Sequence, residues 1–380
     1  MNEVMQFSAG HEDLIHDVAY DFYGKRLVTC SSDQKLKVWD MDEEKGTWVP
    51  NDSWKGHDSS ILKVTWAHPE YGQVFASCSF DRTVRVWEEQ DQGSYENSAE
   101  TRAGVVLEAK NGGRRWAEKA RLADSKGPVQ DLEFAPTHLG LKLATTAADG
   151  ILRIYEAMDV VQLGQWTLMD EIEIFSGGQP PPDASTTTTS GVVITSHYCL
   201  SWCPSRFQPQ MLLVGCGKEN VAKIFRQDTH GKWHPSEQIS FHTDLVTDVA
   251  WAPNMGRAYQ LLATACKDGR VRIFKLGGAS SGATGPGLSA SSAPWQTVGA
   301  NQKKSGPAKF QVEMIADFSD HGTEVWRVDW NVTGTILSSS GDDGKVRLWK
   351  SSYMDEWRCM SIISAEQGGG GDHGEAAMLR

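Results

Sequence analysis

The sequence predicts an all-β protein, a β-propeller for which this chain supplies six blades of four strands each. One observation is a short motif that recurs six times, in which an acidic residue stands six positions before an aromatic residue. The other is the alternation of apolar and polar residues between these two positions. Such a fixed internal spacing indicates one repeated supersecondary unit. The motif pairs are Asp33 and Trp39, Asp81 and Trp87, Asp149 and Tyr155, Glu219 and Phe225, Asp268 and Phe274, and Asp343 and Trp349.

Each motif is a tight turn followed by a strand. Gly follows the acid at Asp149, Asp268 and Asp343, which is typical of a short hairpin. The residues between acid and aromatic alternate with period two, as in 84–87, VRVW. Period two with β-branched residues predicts a strand that ends at the aromatic residue.

Three further apolar segments complete each repeat. Two lie upstream of the turn, as in 62–67 and 74–79, and a less regular one follows the aromatic residue. These fourth strands place the predicted blade ends near residues 54, 122, 175, 241, 318 and 363. A unit that opens with Gly10-His11 and closes with Trp39-Asp40 is typical of a WD-repeat blade.

Recurring polar residues offer two interpretations. His57, Ser79 and Asp81 have the residue types of a nucleophilic triad. The set His57, Ser79, Asp81 and Trp87 is repeated, however, as His11, Ser31, Asp33 and Trp39, and in part at Asp268, Asp343 and Trp349. Repetition favours a structural hydrogen-bond network joining outer loop, turn and terminal Trp. We expect no enzyme, and an incomplete network in the last blade, where Gly341 replaces the Ser.

Composition excludes several other classes of function. Lys and Arg total 37 and Asp and Glu 49, giving a net charge of −12, which weighs against direct binding of nucleic acid. The basic segment 112–121 is short enough to be a solvated face. The sequence has no apolar run of 18 residues and no signal peptide, so we expect a chain that is not inserted in a membrane. The seven Cys lack metal-ligand spacing, so we expect reduced thiols, no metal and no cofactor.

Counting strands leaves one segment over. Six blades use 24 strands, and Glu3 to Ser8 stands before the first of them. We expect this strand to be the outer strand of a seventh blade in an open propeller, with three strands supplied by a partner chain. Its candidate partner-binding residues are Val4, Met5, Gln6 and Phe7. The alternative is that residues 3–8 close blade six and the C-terminal segment is loose.

A single propeller domain over residues 1–363 is therefore predicted, with long inserts. Residues 90–113, 176–191 and 277–307 and the tail 364–380 have compositions that bury too little apolar surface to order themselves. We expect flexible loops and a disordered tail, with docking or phosphorylation at 186–189 as the functional alternative.

Two phrases are more specific than the general repeat. The strings at 66–74, WAHPEYGQV, and 79–89, SFDRTVRVWEE, resemble the Seh-type WD-repeat nucleoporins of the Y-shaped outer-ring complex of the nuclear pore. The likeness extends from about residue 14 to 359, interrupted by the inserts.

The resemblance implies a scaffold subunit at the nuclear envelope. Its partners would be a helical scaffold nucleoporin donating a three-stranded blade and other Y-complex subunits. It also implies a second place, in a vacuolar SEA/GATOR-type complex that regulates amino-acid signalling at the cytoplasmic face of the vacuole or lysosome. The alternatives are a COPII-coat-like propeller and a closed peptide-binding WD40 adaptor.

Overall fold

Six antiparallel four-stranded sheets make up the computed structural model, which describes residues 7–91, 114–175, 197–217, 219–277, 310–353 and 356–364. Each sheet is built from four consecutive strands, so each is one propeller blade. The predicted all-β propeller with six blades is confirmed.

The first three blades contain β1 to β12 and two short 3₁₀ turns. Blade one consists of β1 Ile15–Tyr20, β2 Arg26–Ser31, β3 Lys35–Asp42 and β4 Thr47–Lys55. Blade two consists of β5 Ile61–Trp66, β6 Val74–Ser79, β7 Val84–Asp91 and β8 Arg114–Leu122. Blade three consists of β9 Val129–Phe134, β10 Lys142–Ala147, β11 Ile151–Ala157 and β12 Trp166–Glu173. The 3₁₀ turns are Pro69–Tyr71 and Thr137–Leu139.

The last three blades contain β13 to β24. Blade four consists of β13 Tyr198–Trp202, β14 Met211–Cys216, β15 Val221–Gln227 and β16 Trp233–Ile239. Blade five consists of β17 Val246–Trp251, β18 Gln260–Cys266, β19 Val271–Gly277 and β20 Gln311–Phe318. Blade six consists of β21 Val325–Trp330, β22 Ile336–Gly341, β23 Lys345–Ser351 and β24 Trp357–Ser364.

The hairpin between the second and third strands explains the recurring acid. In blade two the Asp81 carboxylate accepts a hydrogen bond from the amide of Thr83 at 2.9 Å, and Asp33, Asp149, Asp268 and Asp343 do the same two residues on. The residue between has a positive φ in all six blades, at Gln34, Arg82, Gly150, Asn220, Gly269 and Gly344. Glycine therefore follows the acid in half of the repeats because it adopts this backbone conformation without strain.

Packing between blades holds the ring together. The innermost strands lie side by side in chain order, from β1 beside β5 to β17 beside β21. Tryptophans at the ends of these strands add hydrogen bonds, because Trp66, Trp202 and Trp330 each donate the indole N–H to a backbone carbonyl of the preceding blade's inner strand. Five apolar clusters fill the spaces between consecutive blades.

The structure describes the last strand of blade six, but only the end of the predicted N-terminal strand. Strand β24 pairs with β23 over its whole length and takes the fourth place in blade six. This contradicts the alternative in which residues 3–8 fill that place and the C-terminal segment is loose. Val4, Met5 and Gln6 lie outside the described residues, as do most residues of the three inserts and the tail after Ser364.

No helix among the described residues is both long and apolar enough to span a lipid bilayer.

Candidate partner-binding seam

Blades six and one have faces that no neighbouring blade covers. We call these two faces the seam, formed by Ile15, Val18 and Tyr20 on blade one and by Ser338, Ser340, Val346 and Leu348 on blade six. The five apolar clusters join blades one to two, two to three, three to four, four to five and five to six. Within the described ranges no cluster joins blade six to blade one, so the ring is open there.

The blade-one side of the seam is exposed at positions that are buried in other blades. Val18 is 42% exposed, whereas Val64, at the same register in blade two, is 1% exposed. Ile15 is half-buried, whereas Ile61 is 0% exposed. Blade one therefore presents a normal inter-blade face that lacks its neighbour.

The blade-six side shows the same loss of cover and a change of residue type. At the positions corresponding to Ser338 and Ser340, blade one has Val28 and Cys30, which are fully buried. Val346 and Leu348 are half-buried, and the neighbouring Ile363 on β24 is 39% exposed. This side is an apolar strip with two hydroxyls, which suits a face that water reaches when no partner is bound.

Phe7 lies on the blade-one side of the seam. Its ring makes an edge contact with Trp39, with centroids 5.1 Å apart, and lies 6.4 Å from Trp48. Lys37 donates to the backbone carbonyls of Ala9 and Gly10, which fixes the chain just after Phe7. Phe7 is the one predicted partner-binding residue that the structure describes, and it is 42% exposed.

An ion pair links the two sides near the channel. Arg327 of blade six lies 3.8 Å from Asp17 of blade one. Burial disfavours the charged guanidinium, but the carboxylates of Asp17 and Asp248 outweigh it and raise the pKa of Arg327. Asp17 also accepts a hydrogen bond from the amide of Val64 at 3.1 Å. This electrostatic contact spans the seam at its inner end without filling the space between the sheets.

The polar set of blade two is a buried relay between loop, strand and turn. His57 Nδ1 donates to Asp81 at 2.9 Å, and His57 Nε2 accepts from the Ser77 hydroxyl at 2.8 Å. Trp87 donates its indole N–H to the same hydroxyl at 2.9 Å. Burial lowers the pKa of His57, which is therefore neutral at pH 7. Burial alone would raise the pKa of Asp81, but the bond from His57 and others lower it.

Ser79 links the outer loop to the turn, but a different serine contacts the terminal tryptophan. Ser77, two residues before Ser79, joins His57 to Trp87. Ser79 stands at the end of β6, where it accepts from the amide of Asp81 and donates to the carbonyl of Ser60. Residues two apart share a face of a strand, so both face the same way and only Ser77 lies close to the tryptophan.

The same relay occurs on both sides of the seam. In blade one His11 contacts Asp33 and Thr29, and Trp39 donates to Thr29, while Ser31 donates to the carbonyl of Asp13. In blade six His321 contacts Asp343 and Ser339, and Trp349 donates to Ser339. Blade six keeps this part of the network, but Gly341 stands where blades one and two have Ser31 and Ser79, so the hydroxyl that accepts from the turn amide is missing there, as expected.

Blade five departs from this pattern. His242 contacts Thr264 at 2.9 Å, whereas Asp268 pairs with Arg272 at 2.7 Å.

The relay is not a catalytic centre. His57, Ser77 and Ser79 are 0% exposed, so no substrate reaches them. The described part of the chain has no group of three or more His, Cys, Asp or Glu side chains placed to hold a metal ion. Six of the seven cysteines are buried, and burial raises the pKa of the Cys30 and Cys78 thiols, which disfavours reactive thiolates.

The sequence analysis did not predict the seam residues. Val18 and Tyr20 resemble their counterparts in other blades, so nothing in the sequence distinguishes them. The available signal was Ser338 and Ser340, which stand in the last repeat where blade one has Val28 and Cys30.

Comparison with known proteins agrees with this architecture. The family profile "WD domain, G-beta repeat" matches residues 2–40, 48–88, 233–275 and 312–350. Nucleoporin SEH1 of Saccharomyces cerevisiae is 42% identical over 374 residues, which covers 95% of this chain and 99% of the relative. Nucleoporin SEH1 of Homo sapiens is 42% identical over 368 residues, covering 94% and 87%, and nucleoporin seh1 of Schizosaccharomyces pombe is 42% identical over 357 residues, covering 94% and 95%.

Proposed function

The chain belongs to the nucleoporin SEH1 family, and we propose that it is a non-enzymatic scaffold subunit of the nuclear pore that accepts three strands from a partner chain at the seam. The relatives are nucleoporins, which supports the nuclear pore as its place. The seam supports the mode of binding.

The observation that carries the proposal is the pair of uncovered faces on blades six and one. Each of the five other inter-blade spaces is filled by an apolar cluster, and an added sheet would bury Val18 and Leu348 as those clusters bury their counterparts. Burying apolar surface contributes roughly 25 cal/mol per Å² before the cost of association. A blade added in trans therefore has a specific driving force at this site.

The N-terminal segment fits the same arrangement. Phe7 already lies against Trp39 and Trp48 on the seam face of blade one. A strand that runs through residues 3–8 would then take the outer position, and the partner would add the three inner strands.

The finer identity of the partner rests on the family resemblance. We propose a helical scaffold nucleoporin of the Y-shaped complex as the donor, alongside other Y-complex subunits. The vacuolar SEA/GATOR-type complex, at the cytoplasmic face of the vacuole or lysosome, would use the same seam for a second partner.

Affinity purification of the full chain from nuclear extract, read by quantitative mass spectrometry, tests the proposal. The variants are Val18→Asp and a deletion of residues 1–8. The matched control is Phe207→Asp, because Phe207 is 97% exposed and lies far along the chain in blade four. We expect Val18→Asp to reduce recovery of helical nucleoporins at least tenfold, the deletion to reduce it less, and the control to leave it unchanged.

Two outcomes would overturn the proposal. In one, Val18→Asp leaves nucleoporin recovery at the level of the control, which would place the interface elsewhere. In the other, the unaltered chain is recovered alone as a stable monomer, which would favour the closed peptide-binding adaptor. Recovery of coat proteins in place of nucleoporins would support the COPII-like alternative.

A further inference from the structure

Carboxylates on the inner strands bind the backbone of the next blade. An inner strand has a neighbouring strand on one side only, so every second backbone N–H needs an acceptor outside the sheet. Asp17 of β1 accepts from the amide of Val64 in blade two at 3.1 Å, and Asp248 of β17 accepts from the amide of Val328 in blade six at 3.0 Å. The side chain of the earlier blade thereby holds the inner strand of the later one.

The penultimate residue of an inner strand can make the same kind of bond. Glu133 of blade three accepts from the amide of Trp202 at 2.9 Å, and the hydroxyl of Ser201 in blade four accepts from the amide of Trp251 at 3.1 Å. Trp202 and Trp251 are the last residues of the next inner strands, β13 and β17. Such an acceptor therefore fixes the position of the next inner strand along its own axis.

Asp329 is the penultimate residue of β21, the inner strand of blade six. It pairs with Ser338 on β22, and residues directly opposite each other share a face of the sheet, so Asp329 lies on the seam face. One of its carboxylate oxygens accepts from the amide of Trp330 at 2.8 Å, and among the described residues no donor contacts the other. The side chain is exposed. Asp329 thus faces the space where a next blade would stand.

Asp248 and Asp131 show what the second oxygen of Asp329 lacks. Each uses Oδ1 to accept from the amide that follows it in its own strand, at 3.0 Å and 2.8 Å. Each uses Oδ2 to accept from the inner strand of the next blade, again at 3.0 Å and 2.8 Å. Asp329 has the first of these bonds and lacks the second. The donor that would complete it is a backbone N–H of a sheet that follows blade six.

We propose that Asp329 accepts a backbone N–H from the innermost strand that a partner chain adds at the seam, and that this bond sets the register of the added sheet. The inference rests on the proposed function, since it requires that a partner fills the seam with strands. A bond to the main chain selects a strand in one register and leaves its side chains free to vary. Because proline has no N–H, the partner residue opposite Asp329 is not proline.

The test measures how fast the partner dissociates from variants of the full chain. Each variant recovers helical nucleoporins from nuclear extract, and quantitative mass spectrometry follows the amount retained during timed washing. Dissociation is the appropriate quantity because substitutions in an interface act mainly on this rate.

The substitutions are chosen from what other blades tolerate. Asp329→Ala removes both acceptor oxygens and suits the strand, because Ala250 has the same position in blade five. Asp329→Glu keeps a carboxylate, in the form in which Glu133 makes the corresponding bond in blade three. The matched control is Glu313→Ala, which removes an exposed acid from the outer strand of blade five. Val18→Asp reports independently whether the partner occupies the seam.

We expect Asp329→Ala to release the nucleoporin at least tenfold faster than the unaltered chain, because a bond to a charged acceptor is lost. Asp329→Glu and Glu313→Ala should release it at close to the unaltered rate. The midpoint of urea unfolding of isolated Asp329→Ala should match that of the unaltered chain, since the side chain is exposed. This measurement separates loss of binding from loss of folding.

Two results would overturn the inference and leave the proposed function standing. In one, Asp329→Ala releases the partner at the rate of Glu313→Ala while Val18→Asp still reduces recovery. In the other, Asp329→Glu releases it as fast as Asp329→Ala, so that a carboxylate within reach of the added strand gives no benefit. Recovery at the control level by both Val18→Asp and Asp329→Ala would overturn the inference and the proposed function together.

Discussion

The inner strands of blades one and two have nearly the same pattern, but they lie in different surroundings. In blade two, Ile61 and Val64 are covered by blade one, and in blade one Ile15 and Val18 face the seam. The comparison shows that the folding of a blade and the closure of the ring depend on different contacts. A blade can have four paired strands and still present an uncovered face.

Blades on both sides of the seam are internally complete. The relays of His11 in blade one and His321 in blade six contain the same types of contact as that of His57 in blade two. Both edge blades keep four strands in register. The opening is therefore a property of the faces between blades and does not reflect a weakness of the blades themselves.

The largest expected effect distinguishes the covered face from the open one with the same substitution. Ile61→Ala should lower the free energy of unfolding by about 2–5 kcal/mol, because it leaves a cavity in a packed cluster. Ile15→Ala should lower it by about 1 kcal/mol or less, since its side chain is half-buried and water already reaches the site. Urea unfolding of the isolated chain measures both values.

The effect of Ile15→Ala should be larger when the partner is bound. In the purified complex, Ile15→Ala should also weaken partner binding, whereas in the isolated chain its cost stays small. Equal costs for Ile15→Ala and Ile61→Ala in the isolated chain would mean that the ring is closed in solution.

A smaller effect tests whether the edge blade is a normal blade. Asp33→Asn and Asp81→Asn should each lower the free energy of unfolding at pH 7 by about 1.5–3 kcal/mol, because each removes a charged acceptor from a buried relay. In both cases burial opposes ionisation, but hydrogen bonds to the carboxylate lower its pKa below 3.8. The stabilisation is therefore present above pH 3.8 and is lost as the pH falls through the lowered pKa.

Urea unfolding at pH 7 and pH 3 provides the measurement. The difference between each variant and the unaltered chain should shrink at the lower pH. A loss in Asp81→Asn with none in Asp33→Asn would show that blade one depends on its neighbour for its own relay.

Much of this architecture could be predicted from the sequence because it depends on local rules. The acid at a fixed distance before the aromatic residue forms the hairpin turn in every repeat, and Gly150 or Gly344 marks the backbone conformation that the turn requires. Period-two alternation then identifies the strands. These features require only neighbours in the chain, so six blades follow from one motif.

The seam and the relay could be predicted only in part, because they depend on neighbours across sheets. Ser77 was missed as the residue that contacts Trp87, since the sequence does not show which hydroxyl lies near the indole. The exposure of Val18 depends on the absence of a covering sheet and leaves no mark on its own strand.

The smallest expected effect comes from exchanging residue types between the two faces. Val28→Ser introduces a hydroxyl and removes carbon atoms from a fully buried position, so it should lower the free energy of unfolding by about 2 kcal/mol. Ser338→Val, the reverse exchange at the corresponding position of blade six, should change it by less than about 0.5 kcal/mol, because that side chain is half-buried beside open space. Thermal and urea unfolding of the two single variants give these values. A gain of 1 kcal/mol or more in Ser338→Val would show that the blade-six face is already covered in the isolated chain. In that case, contact with water in the absence of the partner would not explain why Ser338 and Ser340 carry hydroxyls.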